Sequence, residues 1–287
     1  MGRIAYVNGR FVPQSEACVS IEDRGYQFAD AVYEVWALFG GRLADPEGHF
    51  ARLERSLGEL SIPMPMGRRA LTLVLREAVR RNRVREGLLY LQVSRGVAPR
   101  EHPFPTTAVP PAVVITVTPV DRATSEARAA QGVGVITTPE NRWGRCDIKT
   151  VGLLPNVLAK QAAKEQGAFE AWFVDAEGLV TEGASSNAWI VDKEGVLRTR
   201  DIGANILRGV TRLSLIDVAR EAGYRVEERP FTVDEAKQAR EAFLTGAGAL
   251  VMPIVSIDGQ PVANGHPGEV ARTLRAAYIR RAAGAAI

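Results

Sequence analysis

Cysteine, histidine and lysine are all scarce in this chain of 287 residues. Cys18 and Cys146 are too few for a disulfide framework and have no CxxC spacing, so thiols in a reducing compartment are expected. His49, His102 and His266 lack the close His/Cys spacing of a zinc site, and no metal is expected. No run of ~18 predominantly apolar residues suits a membrane span, the uncharged stretch 102–120 being broken by Pro103, Pro105, Pro110, Pro111 and Pro119, and the opening MGRIAYVNGRF has no apolar run of a signal peptide. A cytoplasmic protein with no membrane partner follows as the expectation. Charge of one sign is not massed either: the net charge is +3 with Arg and Glu interspersed, which gives no nucleic-acid footprint.

Lysine is the most informative shortage. Of 36 basic residues only five are Lys, at 149, 160, 164, 193 and 237, and none precedes Lys149. A guanidinium cannot be deprotonated in a protein, so a chain that writes its cations as Arg should keep Lys where a nucleophilic amine or a compact ammonium is needed, some of the five being chance survivors.

What is present suits a folded chain. Apolar residues make up 46% and charged residues 24%, which excludes a disordered chain, and the length allows two domains or one large one. Residues 4–13 predict a hairpin turning at Asn8-Gly9, 31–39 an apolar strand interrupted by Glu34, and Asp45-Pro46 the start of a helix running to about Leu60. Another helix is expected over 71–84, a strand over 88–95, and a wholly apolar strand, buried on both faces, over 112–118. A Pro-marked break at 119–124 is the expected domain boundary, separating a smaller α/β domain, 1–120, from a larger one, 121–287. The second half predicts strands at 133–137, 170–175, 188–191 and 242–245 and helices at 154–166, 212–222, 233–239 and 269–281. Without a regular βαβ rhythm, the fold class is α+β.

Four segments could carry chemistry. Lys149 lies in RWGRCDIKTVGLL, where partial burial and the cations Arg142 and Arg145 would favour the neutral amine that imine formation needs; the alternative is a surface Lys in a loop. Thr181 to Asn187, TEGASSN, offers Glu182 as a single fixed carboxylate, with Gly and Ser185-Ser186 allowing close approach to a flat ligand; read alone it is equally a polar turn. Arg52, the turn at Gly209-Val210-Thr211 and Gly246-Ala247-Gly248 are phosphate candidates, each otherwise an ordinary helix or turn. Arg100 and His102, between Pro99 and Pro103, put a guanidinium fork and an imidazole two residues apart, a pair suited to a carboxylate unless it is merely solvated.

Taken together, the blocks EDRGYQFADAVYEV (from Glu22), VSRGVAPREH (from Val93), RWGRCDIK (from Arg142) and TEGASSN (from Thr181) resemble the fold-type IV pyridoxal-phosphate aminotransferases, specifically the D-amino-acid aminotransferases, over nearly the whole chain. The resemblance implies a two-domain α+β enzyme in which Lys149, in the larger domain, is the Schiff-base lysine and proton shuttle. It implies that Glu182 pairs with the pyridine nitrogen, that Arg52 and the amides of Val210 and Thr211 hold the phosphate, and that Leu207 packs on the ring. Ser185, Ser186, Gly246 and Ala247 complete the expected cofactor set. Tyr33, Arg100 and His102 match the trap for the substrate α-carboxylate, the last two coming from the neighbouring subunit, which requires a homodimer. The implied reaction is ping-pong transamination between a D-amino acid and a 2-oxo acid such as 2-oxoglutarate or pyruvate, by way of pyridoxamine phosphate. L-branched-chain aminotransferases and aminodeoxychorismate lyases share the fold, and a non-catalytic pyridoxal-phosphate carrier is the alternative from another class. Two departures from the family pattern, Gly246-Ala247 in place of hydroxyl residues and Ala184 in place of Ser, imply weaker cofactor retention.

Overall fold

A computed structural model describes residues 2–203 and 205–287. The chain divides into two compact units, the first comprising Met1–Asp121, Ile148–Gly152 and Ala285–Ile287, the second Arg122–Asp147 and Leu153–Gly284.

In the first unit β1 (Ile4–Val7) and β2 (Arg10–Pro13) form a hairpin. Asn8 and Gly9 take φ of 45° and 94°, the positive pair that a type I′ turn requires. The short α1 (Arg24–Phe28) leads into β3 (Ala31–Phe39) and β4 (Arg42–Leu43), followed by α2 (Pro46–Glu59), α3 (Arg68–Asn82), β5 (Gly87–Ser94) and β6 (Ala112–Pro119). The strands form one antiparallel sheet in the order β2-β1-β6-β5-β3-β4. Phe50, Leu53 and Leu57 recur at helical spacing on α2 and meet Leu71 and Leu75 of α3 and Trp36, Leu89, Leu91 and Ile115 of the sheet in one buried core. Each such side chain contributes roughly 1.5–3 kcal/mol by leaving water.

Several sequence expectations need correcting here. β6 is not buried on both faces: Val114 and Thr116 are half-buried and alternate with buried Val113, Ile115 and Val117, because the helices cover only one side. Asp45 is the N-cap of α2 and Pro46 its first residue, as expected, although Asp45 is left-handed, φ 46°, and makes no side-chain cap hydrogen bond. α3 starts at Arg68, earlier than its apolar pattern, and stops where Arg83 turns left-handed. Ile148–Gly152 belongs to the first unit rather than the second, because the segment pairs with β3: Thr150 bridges Val32, and the Val151 N–H donates to the Ala31 carbonyl at 3.1 Å.

The second unit opens with α4 (Arg122–Gln131), β7 (Val133–Pro139), α5 (Leu154–Glu165) and β8 (Glu170–Val174). After these come β9 (Val180–Gly183), β10 (Asn187–Val191), β11 (Leu197–Thr199), α6 (Val210–Glu221), β12 (Val226–Glu228) and α7 (Val233–Lys237). The chain closes with β13 (Glu241–Gly246), β14 (Leu250–Ile257), β15 (Gln260–Pro261) and α8 (Glu269–Ala285). The sheet runs β12-β11-β10-β13-β14-β7-β8-β9, with β15 on β14. β7 is parallel to both β14 and β8, and β11 to β12, while β10, β13 and β14 are antiparallel, the mixed pairing of an α+β fold. The connection from β9 to β10 is only three residues, which sets Glu182 and Asn187 close together; the chain then reaches α6 through Leu207.

Candidate active site

Lys149 is fixed through its backbone. Its N–H donates to the buried Ser56 Oγ at 3.3 Å, and its carbonyl accepts from the Tyr33 N–H at 3.0 Å, so the residue is pinned beside β3 next to the isolated bridge from Thr150 to Val32. Its Nζ stands 4.2 Å from the centroid of the Tyr33 ring, which brings the expected amine and one expected carboxylate-binding residue together. Tyr33 stacks on Tyr90 at 5.6 Å, and burial, with Tyr33 second, pushes the Tyr90 hydroxyl up to about 12. It therefore stays protonated and donates to Gln92 Oε1 at 2.7 Å.

Next to Tyr33, on the helix-covered face of β3, lies Glu34. Its two oxygens take Arg52 Nε and Nη2, each at 2.8 Å, and His49 Nδ1 at 2.7 Å. Burial would raise its pKa, yet Arg52 and then His49 outweigh burial and hold it at about 2. Burial drives His49 the other way, below its ordinary value, so the imidazole is neutral at neutral pH. Arg52, expected as a phosphate ligand, is thus gripped by a bidentate carboxylate on its own unit. Neither Glu34 nor His49 is among the residues expected in a site; a carboxylate inside an apolar strand, with His and Arg one helical turn apart, is the signal the sequence carries for them.

A second cluster forms around Glu182, whose side chain is nearly buried. It accepts from Arg142 Nη1 at 2.5 Å, from Asn187 Nδ2 at 3.0 Å and, at both oxygens, from the Leu207 N–H at 3.1 Å. Arg142 is shared with Glu140 through Nε at 2.8 Å and Nη2 at 2.6 Å, while Thr181 Oγ1 donates to the same Glu140 at 2.8 Å. Burial alone would lower the Arg142 pKa, but Glu140 and Glu182 together raise it. The expectation that Arg142 and Arg145 act on the lysine therefore changes: Arg142 belongs to Glu140 and Glu182, and Arg145 pairs with Asp147 at 2.9 and 3.0 Å. Cys146 is pushed up to about 11, mainly by burial, and stays a thiol.

Asn187 ties Glu182 to the start of α6, donating also to the Leu207 carbonyl at 3.0 Å. Gly209 is the N-cap, and a Cβ there would collide with Asn187 Oδ1, so only glycine fits. No side chain caps the helix; its first internal bond is Leu213 N–H to Gly209 carbonyl at 3.1 Å, which leaves the Val210 and Thr211 amides outside the helical ladder. Such an end attracts anions.

Ser185 and Ser186 are placed differently from expectation. Both hydroxyls donate to the buried Glu170, at 2.6 and 3.1 Å, and Lys160 balances that carboxylate at 3.3 Å. The pair shapes the loop rather than offering hydroxyl protons outward. Ala184 is buried with Ile136, Ala159 and Phe173, an apolar setting in which a hydroxyl would gain little. Gly246 closes on the same loop, since a Cβ there would lie 3.2 Å from the Ser185 carbonyl, and Ala247 follows it half-buried. Arg100 and His102 are exposed and sit against Phe28, at 5.0 and 5.5 Å, rather than against Tyr33.

By their chemistry the residues fit pyridoxal phosphate: the first unit carries an amine and an arginine suited to a phosphate, and the second an ion-paired carboxylate suited to a ring nitrogen and an uncapped helix start. Comparison with known proteins points the same way. The model of the amino-transferase class IV family matches residues 31–257. The D-alanine aminotransferase of Bacillus licheniformis is 42% identical over 270 residues, 94% of each chain. That of Staphylococcus epidermidis is 39% identical over 274 residues, 95% of each chain. Among solved structures, a T.th. branched-chain amino acid aminotransferase with pyridoxamine 5'-phosphate superposes with a TM-score of 0.89 at 29% identity, covering 99% of this chain and 95% of its own.

Proposed function

Since the chain belongs to the class IV aminotransferases, whose cofactor is pyridoxal 5'-phosphate, we propose that it transfers the amino group of a D-amino acid to a 2-oxo acid. The observation that carries the chemistry is the Glu182 carboxylate, held by three donors and joined through Asn187 to the open start of α6. When bound, the cofactor supplies a protonated pyridine ring that draws electrons from the substrate's Cα. Glu182 keeps that ring nitrogen protonated, and Arg142 keeps Glu182 anionic. Lys149 holds the cofactor through Nζ and moves the proton at the substrate Cα; the Tyr33 ring at 4.2 Å bounds the space in which the amine swings. Val210 and Thr211 amides and Arg52, oriented by its two bonds to Glu34, would hold the cofactor's phosphate, Leu207 would pack on its ring, and the loop of Ser185, Ser186, Gly246 and Ala247 would border it.

The preference for D-substrates rests on Arg100 and His102 and on the D-alanine aminotransferase relatives. The pair acts in trans, in a homodimer. Val19, Ile21, Tyr26, Val97 and Phe104 are 41–79% exposed, on two segments that an Asp23 to Val97 bridge ties together beside the Arg100 loop. That much apolar surface next to a charged pair suits a second copy of the chain. Cys18 and Cys146 as free thiols suit a reducing cytoplasm; among the described residues no helix is long and apolar enough to cross a membrane.

The likeness to branched-chain amino acid aminotransferases favours one second reading, an L-specific enzyme. Steady-state assays with D-alanine, L-alanine and L-leucine, each against 2-oxoglutarate, decide between them. D-alanine alone should be converted, with the parallel-line kinetics of a ping-pong reaction; turnover of L-leucine in preference to D-alanine overturns the proposal.

A further inference from the structure

The block around α1 has so far no part in the reaction, yet it holds the Arg100 loop from beneath. We propose that Arg24, together with Phe28 and Asp30, is a positioning element that pre-forms the Arg100 and His102 arm and so sets the grip on the substrate carboxylate and the preference for the D-enantiomer. The inference rests on the reading of that arm as a carboxylate trap.

Arg24 is 3% exposed, and its planar fork is fully engaged. Nε donates to Asp30 Oδ2 at 2.8 Å, while Nη1 and Nη2 donate to two successive carbonyls of the arm, Glu101 at 2.6 Å and His102 at 3.3 Å. Asp30 is fixed in turn by Arg95, at 2.7 Å through Nε and 3.0 Å through Nη2. Arg95 reaches on to the carbonyls of Leu60 and Ser61 at the end of α2, at 2.7 and 3.2 Å. Burial would raise the Asp30 pKa, but Arg95 and Arg24 outweigh it and bring it below its ordinary value, so the chain from α2 to the arm is ionic at neutral pH.

Above this anchor lies the Phe28 ring. Arg24 stands 4.8 Å from its centroid, Arg100 5.0 Å, and the His102 ring 5.5 Å. The arm is therefore clamped at its backbone while its two side chains, exposed to solvent, rest on one aromatic platform. A loop side chain that must be ordered on binding loses affinity to conformational entropy; an arm ordered beforehand does not. Lysine could not replace Arg24, since one ammonium lacks the spread of donors needed to hold Asp30 and two carbonyls in a plane.

The test compares Arg24→Lys, Phe28→Leu and Arg100→Ala in the holoenzyme. The readouts are KM and kcat for D-alanine, the D- to L-alanine ratio of kcat/KM, the inhibition constant of propionate, which carries the carboxylate without the amine, and the visible cofactor band. Arg24→Lys should raise KM and the propionate constant about tenfold and lower the D/L ratio, with kcat within about twofold and the band unmoved. Phe28→Leu should do the same about threefold while leaving every bond to Asp30 in place, and it carries the test if Arg24→Lys fails to fold. The proposal is overturned if both variants match wild type while Arg100→Ala raises KM. If Arg100→Ala itself leaves KM and propionate binding unchanged, the carboxylate reading falls, and the positioning role with it.

Discussion

The Glu182 cluster of the second unit and the Lys149 segment of the first are built on opposite plans. Around Glu182 every polar atom is committed: one carboxylate takes three donors, its arginine serves a second carboxylate, and Asn187 links both to a helix start that only Gly209 allows. Around Lys149 the backbone is committed and the side chain is not; its carbonyl and N–H are bonded, while Nζ borders only an aromatic face among the described contacts. The difference separates holding from moving. A ring nitrogen needs a charge that does not shift, whereas an amine that bonds a cofactor and then carries a proton needs freedom at its tip and fixity at its root.

Lys149→Ala, on the moving side, should cut turnover by at least about 10³-fold while leaving the folded state intact, as read by kcat and by thermal unfolding. Retained turnover would erase the distinction. On the holding side, Arg142→Ala leaves Glu140 and Glu182 buried without their cation and should cost about 3 kcal/mol of stability as well as activity, measured by denaturant unfolding. Loss of activity alone, with stability unchanged, would make Arg142 part of the moving side.

How much of this could be read from the sequence follows from distance along the chain. The Asn8-Gly9 hairpin and the apolar stripe of α2 are local patterns and stand as expected. α4 has no counterpart in the sequence expectations, which place only a domain boundary at 119–124, because a single one of its ten residues, Ala129, is buried. Arg142 meets Glu182 forty residues on, and the Ser185 and Ser186 hydroxyls turn to Glu170, partners that no spacing rule supplies. The lysine shortage has a physical counterpart at Lys160, which places a compact ammonium against the Phe169 carbonyl at 2.6 Å and beside Glu170. It is less telling at Lys237, which pairs with Asp258 near the surface.

Glu34 sharpens the comparison from the Lys149 side, because it is a holding device within the moving half. Its folded pKa of about 2 lies below the ordinary 4.5, so it stabilises the protein fully above 4.5 and loses that contribution as pH falls toward 2. Glu34→Gln should therefore be less stable than wild type by on the order of 3 kcal/mol near neutrality, with the gap closing in acid. A gap that is constant from pH 7 to pH 2 would remove the charge from the explanation. The smallest effect is expected at Ala247: Ala247→Ser should tighten pyridoxal phosphate binding about threefold in a fluorescence titration, the worth of one added hydrogen bond. No change would leave the loop's hold to its backbone alone.

The five lysines make the central assignment open to a single measurement. Borohydride reduction of the holoprotein, followed by peptide mapping, should place the pyridoxyl group on Lys149. A pyridoxyl group on Lys160, Lys164, Lys193 or Lys237 instead would contradict it.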